Sequence, residues 1–387
     1  MRIFKDVFRR KMRSFLTISG ITIGVLALVV MGAMAEKLNK MVDGAIDYYE
    51  GTVIVSDAAS DGYYGAPVMS LSVAERIEDI EGVGAVSSSV SVLLEEQEAG
   101  ISVGPPPSII GVDLKGTEYQ GVRLEVAQGR DIGSSDRGVV VLGSDLVRQL
   151  DTDVGETVEL RGEKFKVIGV YDKTLSVPDS AAFVYLDDAQ RLFASTLPAV
   201  LRDSVDTKDL VTEIAVYPEP NVDADALAET INEEVEGVIA IGPTEWTESM
   251  KRMTATFSAI MVGIAFISLL IGGMSVINTM MMSVSERVRE IGIRKAVGAS
   301  TGHIVRHFIA ESAVIGLVGG LLGLGLGAAL AATGNAAGEA SGTILFLVSP
   351  RLALGSVAFA VVLGVIAGLY PAVHASRLDP VVAFRRA

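Results

Sequence analysis

Four stretches of this chain contain no charged residue, and each is long enough to cross a bilayer. They run from Phe15 to Ala35, Thr254 to Val284, Ser312 to Gly338 and Leu352 to Val373. About 20 apolar residues are needed to span roughly 30 Å of hydrocarbon as a helix. Inside lipid every backbone polar group must be satisfied within the segment, so each stretch must be helical. The second and third exceed the minimum, so their ends must project or bend. The intervening charge is clustered, and that explains how a chain with 20% charged residues is also 50% hydrophobic.

Basic residues orient the spans. Arg2, Lys5, Arg9, Arg10, Lys11 and Arg13 precede the first. Arg287, Arg289, Arg294, Lys295 and Arg306 lie between the second and third, and Arg377, Arg385 and Arg386 follow the fourth. The positive-inside rule places all three groups in the cytoplasm. Four spans put both termini on one side, so the three groups agree. These segments hold fourteen of the 32 basic residues and five of the 47 acidic ones. The net charge of −15 therefore divides into about +9 inside and about −24 outside. An outer surface this acidic suits either strong salt or an ordinary extracytoplasmic domain.

The expected architecture is an α-helical membrane protein with four transmembrane helices plus a large α+β extracytoplasmic domain between helices 1 and 2. Its parts are a cytoplasmic amphipathic helix (1–14), spans at 15–35, 254–282, 308–334 and 352–373, and a stalk with outer domain (36–253). A cytoplasmic segment (283–307), a short outer loop (335–351) and a cytoplasmic tail (374–387) complete it. In 1–14, Phe4, Val7, Phe8 and Met12 recur at helical spacing opposite Lys5, Arg9 and Arg13. Such a helix lies in the inner headgroup layer; the plainer alternative is a basic topogenic flank. The apolar run behind it is long and lacks a clear cleavage site, so it reads as a retained anchor.

Beyond the first span, Leu38, Met41, Val42, Ala45 and Ile46 continue one helical stripe. Thr244 to Met253 leads into the second span after the Gly242-Pro243 break. Within the outer region, Thr52–Val55, Val83–Val92, Ser108–Val112, Gly138–Leu142 and Ala182–Leu186 read as strands. Ser72–Ile80 reads as a helix capped by Ser72 with Glu75 three residues on. Thr157–Leu160 and Lys164–Val170 form a hairpin around Arg161-Gly162-Glu163. The strand–helix–strand order of 52–92 returns at 212–241. The first and last parts thus make one subdomain, with about 121–200 inserted. Residues 57–67 and 99–107, rich in Gly and Pro, are loops.

Little in the chain suggests reaction chemistry. There is no cysteine, and the three histidines (His303, His307, His374) all fall on the cytoplasmic side. That removes disulfides, thiolate metal sites and an external histidine site. No carboxylate spacing in the outer region reads as catalytic or calcium-binding, and those residues are taken as solvated surface. Catalytic, cofactor-binding and metal-ligating residues are expected to be none, and no nucleic-acid partner is implied. Glu311 sits at the cytoplasmic edge of the third span, where a snorkelling or locally paired carboxylate is favoured over a proton relay.

Two patterns remain. The first is the segment 283–300. Val288, Ile291, Ile293, Ala296 and Val297 supply an apolar side, and Arg287, Glu290, Arg294 and Lys295 a polar one. A short helix of this kind can seat in a partner's groove, and an ordinary solvated inter-span loop is the competing reading. Gly298 suits its C-terminal stop. The second is a set of small residues four apart: Gly319, Gly323 and Gly327 on the third span, Gly20 and Gly24 on the first, and Gly364 and Gly368 on the fourth. Lipid drives no association, so close backbone approach must. Packing within one chain and packing between two are equally compatible with the pattern. Pro371 is expected to end the fourth span.

Lys11-Met12-Arg13-Ser14-Phe15-Leu16-Thr17, Gly20–Val25, Ile109–Asp113, Val141–Ser144, Val154–Val158, Phe165–Val170, Ser285-Glu286-Arg287, Arg289–Ala296, Gly298-Ala299, Gly368–Ala372 and Arg377–Pro380 occur in an order that resembles one family. It is the MacB/FtsX-type permeases, the mechanotransmission or type VII ABC group, and the resemblance covers nearly the whole chain. It implies two permeases, identical or different, with two ATP-binding subunits. Their closure on ATP moves stalk helices and reshapes the outer domains. It implies ATPase contact through Glu286, Arg287, Arg289, Glu290, Ile291, Gly292, Ile293, Arg294, Lys295, Ala296 and Gly298. No Gly-x-x-x-x-Gly-Lys-Ser/Thr phosphate loop occurs in this sequence. ATP and Mg are therefore expected on a separate ABC ATP-binding subunit, with this chain a non-catalytic subunit in the cell membrane. An extracytoplasmic adaptor or lipoprotein is a further candidate partner. Two rival functions stand beside transport: regulation of an extracellular hydrolase on the same fold, and a receptor or adhesin without an ATPase.

Overall fold

A computed structural model describes residues 11–59, 68–95, 106–115, 124–174, 177–197, 206–339 and 344–377. Side chains are described from residue 15. Residues 1–10 of the N-terminal helix expected at 1–14, the tail beyond Arg377 and most of the two Gly/Pro-rich loops lie outside the described residues, and residues 11–14 are continuous with the helix of the first span.

The chain begins with helix α1 (Lys11–Tyr48) and strands β1 (Val53–Asp57) and β2 (Met69–Ser70). Then come α2 (Leu71–Glu78), β3 (Val83–Leu93), β4 (Ser108–Val112), β5 (Val126–Gly129), β6 (Val139–Leu142) and α3 (Ser144–Gln149). Strands β7 (Thr157–Leu160), β8 (Glu163–Tyr171) and β9 (Ala181–Tyr185) lead to α4 (Leu186–Thr196). They are followed by β10 (Leu210–Val211), β11 (Glu213–Pro218), α5 (Ala224–Glu234) and β12 (Val238–Ile241). The last helices are α6 (Pro243–Glu286), α7 (Val288–Ala296), α8 (Thr301–Glu339) and α9 (Pro350–Ser376).

The chain separates into two compact units. One contains residues 38–254 and 336–345, and the other 1–37, 255–335 and 346–387.

The first unit is built on one mixed sheet in the order β12-β1-β11-β3-β4-β9-β6-β8-β5, with β7 also paired to β8. Neighbours from β12 to β4 are antiparallel, and β4–β9 and β6–β8 are parallel. Two apolar clusters cover different parts of this sheet. The first joins β1, β11 and β12 to α2 and α5 through Val53, Val55, Ile77, Ile214, Val216 and Ile231. The second joins β4, β6, β8 and β9 to α3 and α4 through Ile109, Leu142, Leu146, Phe165, Val184 and Leu192. Strand β3 is eleven residues long and gives Val86 to the first and Val90 and Val92 to the second. Helix α4 lies so close to β4 that a Cβ at Gly111 would run into the Ala189 side chain.

Local chemistry explains the turns. Arg161 and Gly162 both have positive φ, 49° and 86°, and link β7 to β8 as a two-residue hairpin. Such turns match the right-handed twist of the strands. The cap of α2 differs from the sequence reading: Ser70, not Ser72, is the N-cap, and its hydroxyl accepts from the Ser72 N–H at 3.2 Å. Ser70 can adopt extended backbone because it pairs with Leu210 at the end of β2, and this starts the helix one residue earlier. Helix α6 begins at Pro243, where a missing N–H costs nothing, and Asp225 accepts from the Thr244 N–H at 3.0 Å.

In the second unit, the four apolar runs lie in α1, α6, α8 and α9, each long and apolar enough to cross a membrane. Their contacts are made by small residues. On α8, a Cβ at Gly319 would sit 2.8 Å from Ile21, at Gly323 2.6 Å from Val25, and at Gly327 2.9 Å from Val29. On α1, Gly20 faces Ser275 and Gly24 faces Leu269, both on α6. On α9, Gly364 and Gly368 both face Ser312 of α8. These seven glycines therefore each meet another helix of the same chain. Hydrogen bonds between helices supplement the packing: Thr17 bonds the Thr279 hydroxyl at 2.7 Å, and Thr22 bonds the Gly319 carbonyl at 3.4 Å.

Pro371 does not end α9. The helix continues to Ser376 although proline withdraws one N–H from the ladder. Ala372 and Ala375 are fully buried in the helical core, and that packing holds the last turn.

Candidate functional site

The segment between α6 and α8 forms a well-defined, tethered element. Helix α6 ends at Glu286 and α7 starts at Val288, so Arg287 alone makes the corner, with φ −105° and ψ 12°. Its N–H bonds the carbonyls of Ser283 and Val284. Nine residues later α7 stops in a Schellman motif. Gly298, with φ +100°, donates to the Lys295 carbonyl at 3.0 Å, and Ala299 donates to the Arg294 carbonyl at 2.9 Å.

Three contacts hold α7 to its neighbours. Ile291 is 4% exposed and belongs to the core cluster of the helices. Arg287 Nη1 lies 3.4 Å from Glu311 Oε2 on α8. Lys295 Nζ donates to the Ser376 carbonyl of α9 at 2.7 Å, placing a cation at that helix's C-terminal end. Glu311 is therefore locally paired. Gly292 is buried beside Ile291, and with no side chain it keeps this inner face shallow.

The remaining residues turn outward. Glu286, Arg289, Glu290, Ile293, Arg294, Ala296, Val297 and Gly298 are exposed, Ile293 by 45% and Val297 by 85%. Arg294 Nη2 and Glu290 Oε1 form an i,i+4 pair at 2.6 Å. The apolar residues therefore do not form one side, as the sequence reading had them. Residues two apart on a helix point about 200° apart, so Ile291 faces inward while Ile293 faces out. Arg287 and Lys295, grouped with the polar side, are instead the two inward tethers. The outward surface is a pair of apolar residues, Ile293 and Val297, flanked by Arg289, Glu290 and Arg294. Next to it, α7 and the first turns of α8 enclose a small cleft of about 20 Å³. His303 and His307 line this cleft with Ile291 and Arg294. These histidines were not among the candidate site residues, and their i,i+4 spacing at the start of α8 was the available signal.

Four membrane-length helices, a large mixed α/β domain inserted between the first two and a short tethered helix between the second and third define a multi-pass membrane protein of the transporter-permease kind. Residues 14–234 match the family model of the MacB-like periplasmic core domain, and residues 262–380 that of the FtsX-like permease C-terminal region. The chain belongs to the MacB/FtsX-type family of ABC transporter permeases. A Bacillus subtilis protein named as an uncharacterized ABC transporter permease, YknZ, is 30% identical over 399 residues, spanning 98% of this chain and 96% of its own length. The macrolide export ATP-binding/permease protein MacB of Bdellovibrio bacteriovorus is 27% identical over 413 residues; these are 99% of this chain and 60% of that protein. The crystal structure of the periplasmic region of MacB from Actinobacillus actinomycetemcomitans aligns with 56% of this chain and 98% of its own, at 14% identity and a TM-score of 0.38.

Proposed function

We propose that this chain couples the ATP cycle of a separate ATP-binding subunit to movement of its outer domain, with α7 as the docking element. The observation that carries the reading is the division of α7 into an anchored face and an exposed one. Ile291, Arg287 and Lys295 fix the helix to α8 and α9, so force on it passes into those helices. Ile293 and Val297 are large apolar residues left uncovered. An apolar centre inside a polar, charged rim is the general anatomy of a protein–protein contact.

The transmitting elements are α1 and α6. At 38 and 44 residues they extend about 57 and 66 Å, well beyond the roughly 30 Å of hydrocarbon. In this reading 36–253 and 335–351 lie outside and 1–14, 283–307 and 374–387 in the cytoplasm. The basic flanks support that orientation. A second permease, identical or related, would complete the complex. ATP and Mg would reside on the ATP-binding subunit, and an adaptor or lipoprotein would meet the outer domain. Export of a small molecule or handling of a lipoprotein or peptide is the task such a movement serves.

The test is co-purification of the full chain with its ATP-binding subunit, in wild type and in Ile293→Asp/Val297→Asp. Wild type should retain the subunit and stimulate its ATPase, and the double variant should lose both while its thermal unfolding stays unchanged. Equal retention by the two, or no recovery by wild type, would refute the docking role.

A further inference from the structure

The carboxylates of the outer domain are not all solvated surface, as the sequence reading took them to be. Asp145 is 6% exposed and bonded by Lys173 and Arg148, and Asp188 is fully buried and paired with Arg191. Each is neutralised by a partly exposed cation that reaches it from the surface, Arg148 and Lys173 for Asp145 and Arg191 for Asp188. Glu213, the first residue of β11, is different. It is half-buried and accepts a hydrogen bond from the Tyr49 hydroxyl at 3.3 Å, and it has no ion pair among the described residues. Burial raises its carboxyl above the usual range, with the Tyr49 bond acting weakly against that.

A cavity of about 110 Å³ lies beside this carboxylate. Tyr48, Tyr49, Tyr217 and Phe183 supply aromatic walls, and Val177, 39% exposed, stands at the rim. The Tyr48 and Tyr49 rings meet edge to face at 5.0 Å. All of these residues belong to the same compact unit.

The chemistry of the walls restricts the ligand. An anion would meet Glu213 and find no cationic wall residue. A small hard cation such as Ca²⁺ needs six to eight oxygen ligands, and the walls present one carboxylate. A large, weakly hydrated cation fits both features at once, since aromatic faces attract it and the carboxylate neutralises it. We propose that this cavity binds the headgroup of an organic ammonium ion, held on Glu213 and packed against Tyr48, Tyr49 and Tyr217. The site is independent of the docking role of α7, and either can fail without the other.

The chain carries its own reporter. Its single tryptophan, Trp246, has its ring 5.1 Å from that of Tyr49. The experiment is a titration of the full chain in detergent with choline, following tryptophan emission at constant ionic strength, beside its neutral isostere 3,3-dimethylbutan-1-ol. Choline should give a saturable change, and the alcohol should bind about tenfold or more weakly. Glu213→Gln should weaken choline by a similar factor. Equal binding of choline and the alcohol, wild-type affinity in Glu213→Gln, or no saturable response would each overturn the site. The choline and alcohol comparison needs no variant, so it decides the matter even if Glu213→Gln fails to fold.

Discussion

The helical unit and the sheet unit reach close packing by opposite means. In the sheet unit, large side chains fill the space: Phe165, Leu142, Leu146, Ile214 and Ile231 are essentially inaccessible to solvent. In the helical unit, contacts form where side chains are missing, at Gly319, Gly323 and Gly327 against Ile21, Val25 and Val29. The solvents account for the difference. Water rewards burial of apolar area at about 25 cal/mol per Å², whereas lipid gives no such reward and leaves close backbone contact to hold helices together. A residue that is too small should therefore damage the sheet unit, and one that is too large should damage the helices.

The largest expected effect tests the first half of that contrast. Phe165 is 1% exposed, and Val158 of β7 is its pairing partner. Phe165→Ala should cost about 3–5 kcal/mol through lost burial and the cavity left behind. Denaturant unfolding of the full chain, followed by far-UV circular dichroism, measures it. A cost under about 1 kcal/mol would show that the sheet core relaxes freely.

The second half is tested by adding atoms. Gly323→Leu should cost about 1–3 kcal/mol or more, since its Cβ alone would meet Val25 at 2.6 Å and the Thr22 carbonyl at 2.8 Å. Gly325 lies two residues along the same helix, with nothing within 4 Å of its Cβ position. Gly325→Leu should stay within about 0.5 kcal/mol. Thermal unfolding in detergent compares them, and equal effects would show that glycine's role in α8 is not contact.

How much of this could be read from the sequence depended on how local each cause was. The spans were legible because lipid forces a long uncharged run. The stop at Gly298 was legible because a helix end needs a residue that tolerates positive φ. The glycine spacing was visible, but its partners were not. Gly323 meets Val25 across about 300 positions, and nothing near Gly323 records that. The same limit hid Glu213, whose carboxylate accepts its described hydrogen bond from Tyr49, 164 residues earlier. Its neighbours in sequence show only an ordinary alternating strand. Pro371 misled for a related reason: a local breaker was overruled by the burial of Ala372 and Ala375.

A smaller effect is expected at α7, which combines both means of packing, with Ile291 inserted and Gly298 closing the end. Gly298→Ala forces a side chain into φ +100° with open space around it. The cost is therefore backbone strain alone, about 1 kcal/mol. The change should lower the thermal midpoint slightly and weaken co-purification of the ATP-binding subunit more than Gly325→Leu does. If the two variants behave alike, the fixed end of α7 has no part in docking.

The smallest expected effect separates the units by pH. Asp136 accepts hydrogen bonds from Arg130 Nη2 at 2.9 Å and from the Gly133 N–H at 2.8 Å. The Arg130 guanidinium, then the Gly133 amide, hold its carboxyl down to about 2. In the unfolded chain it titrates near the ordinary aspartate value of about 3.9. Between those values the unfolded state binds more protons, so stability falls with falling pH. This contribution is complete above about pH 4 and is lost as pH drops through about 2. Glu213 has the opposite sign, because a raised carboxyl is favoured neutral in the fold and stability declines as it ionises. The glycine contacts of α8 with Ile21, Val25 and Val29 contain no titratable group, so acid should leave them intact. Asp136→Asn should therefore flatten the pH 5-to-2 dependence of unfolding in the sheet unit, read from β-sheet circular dichroism. It should leave the helical signal unchanged, and an equal shift in both signals would mean that the two units unfold as one.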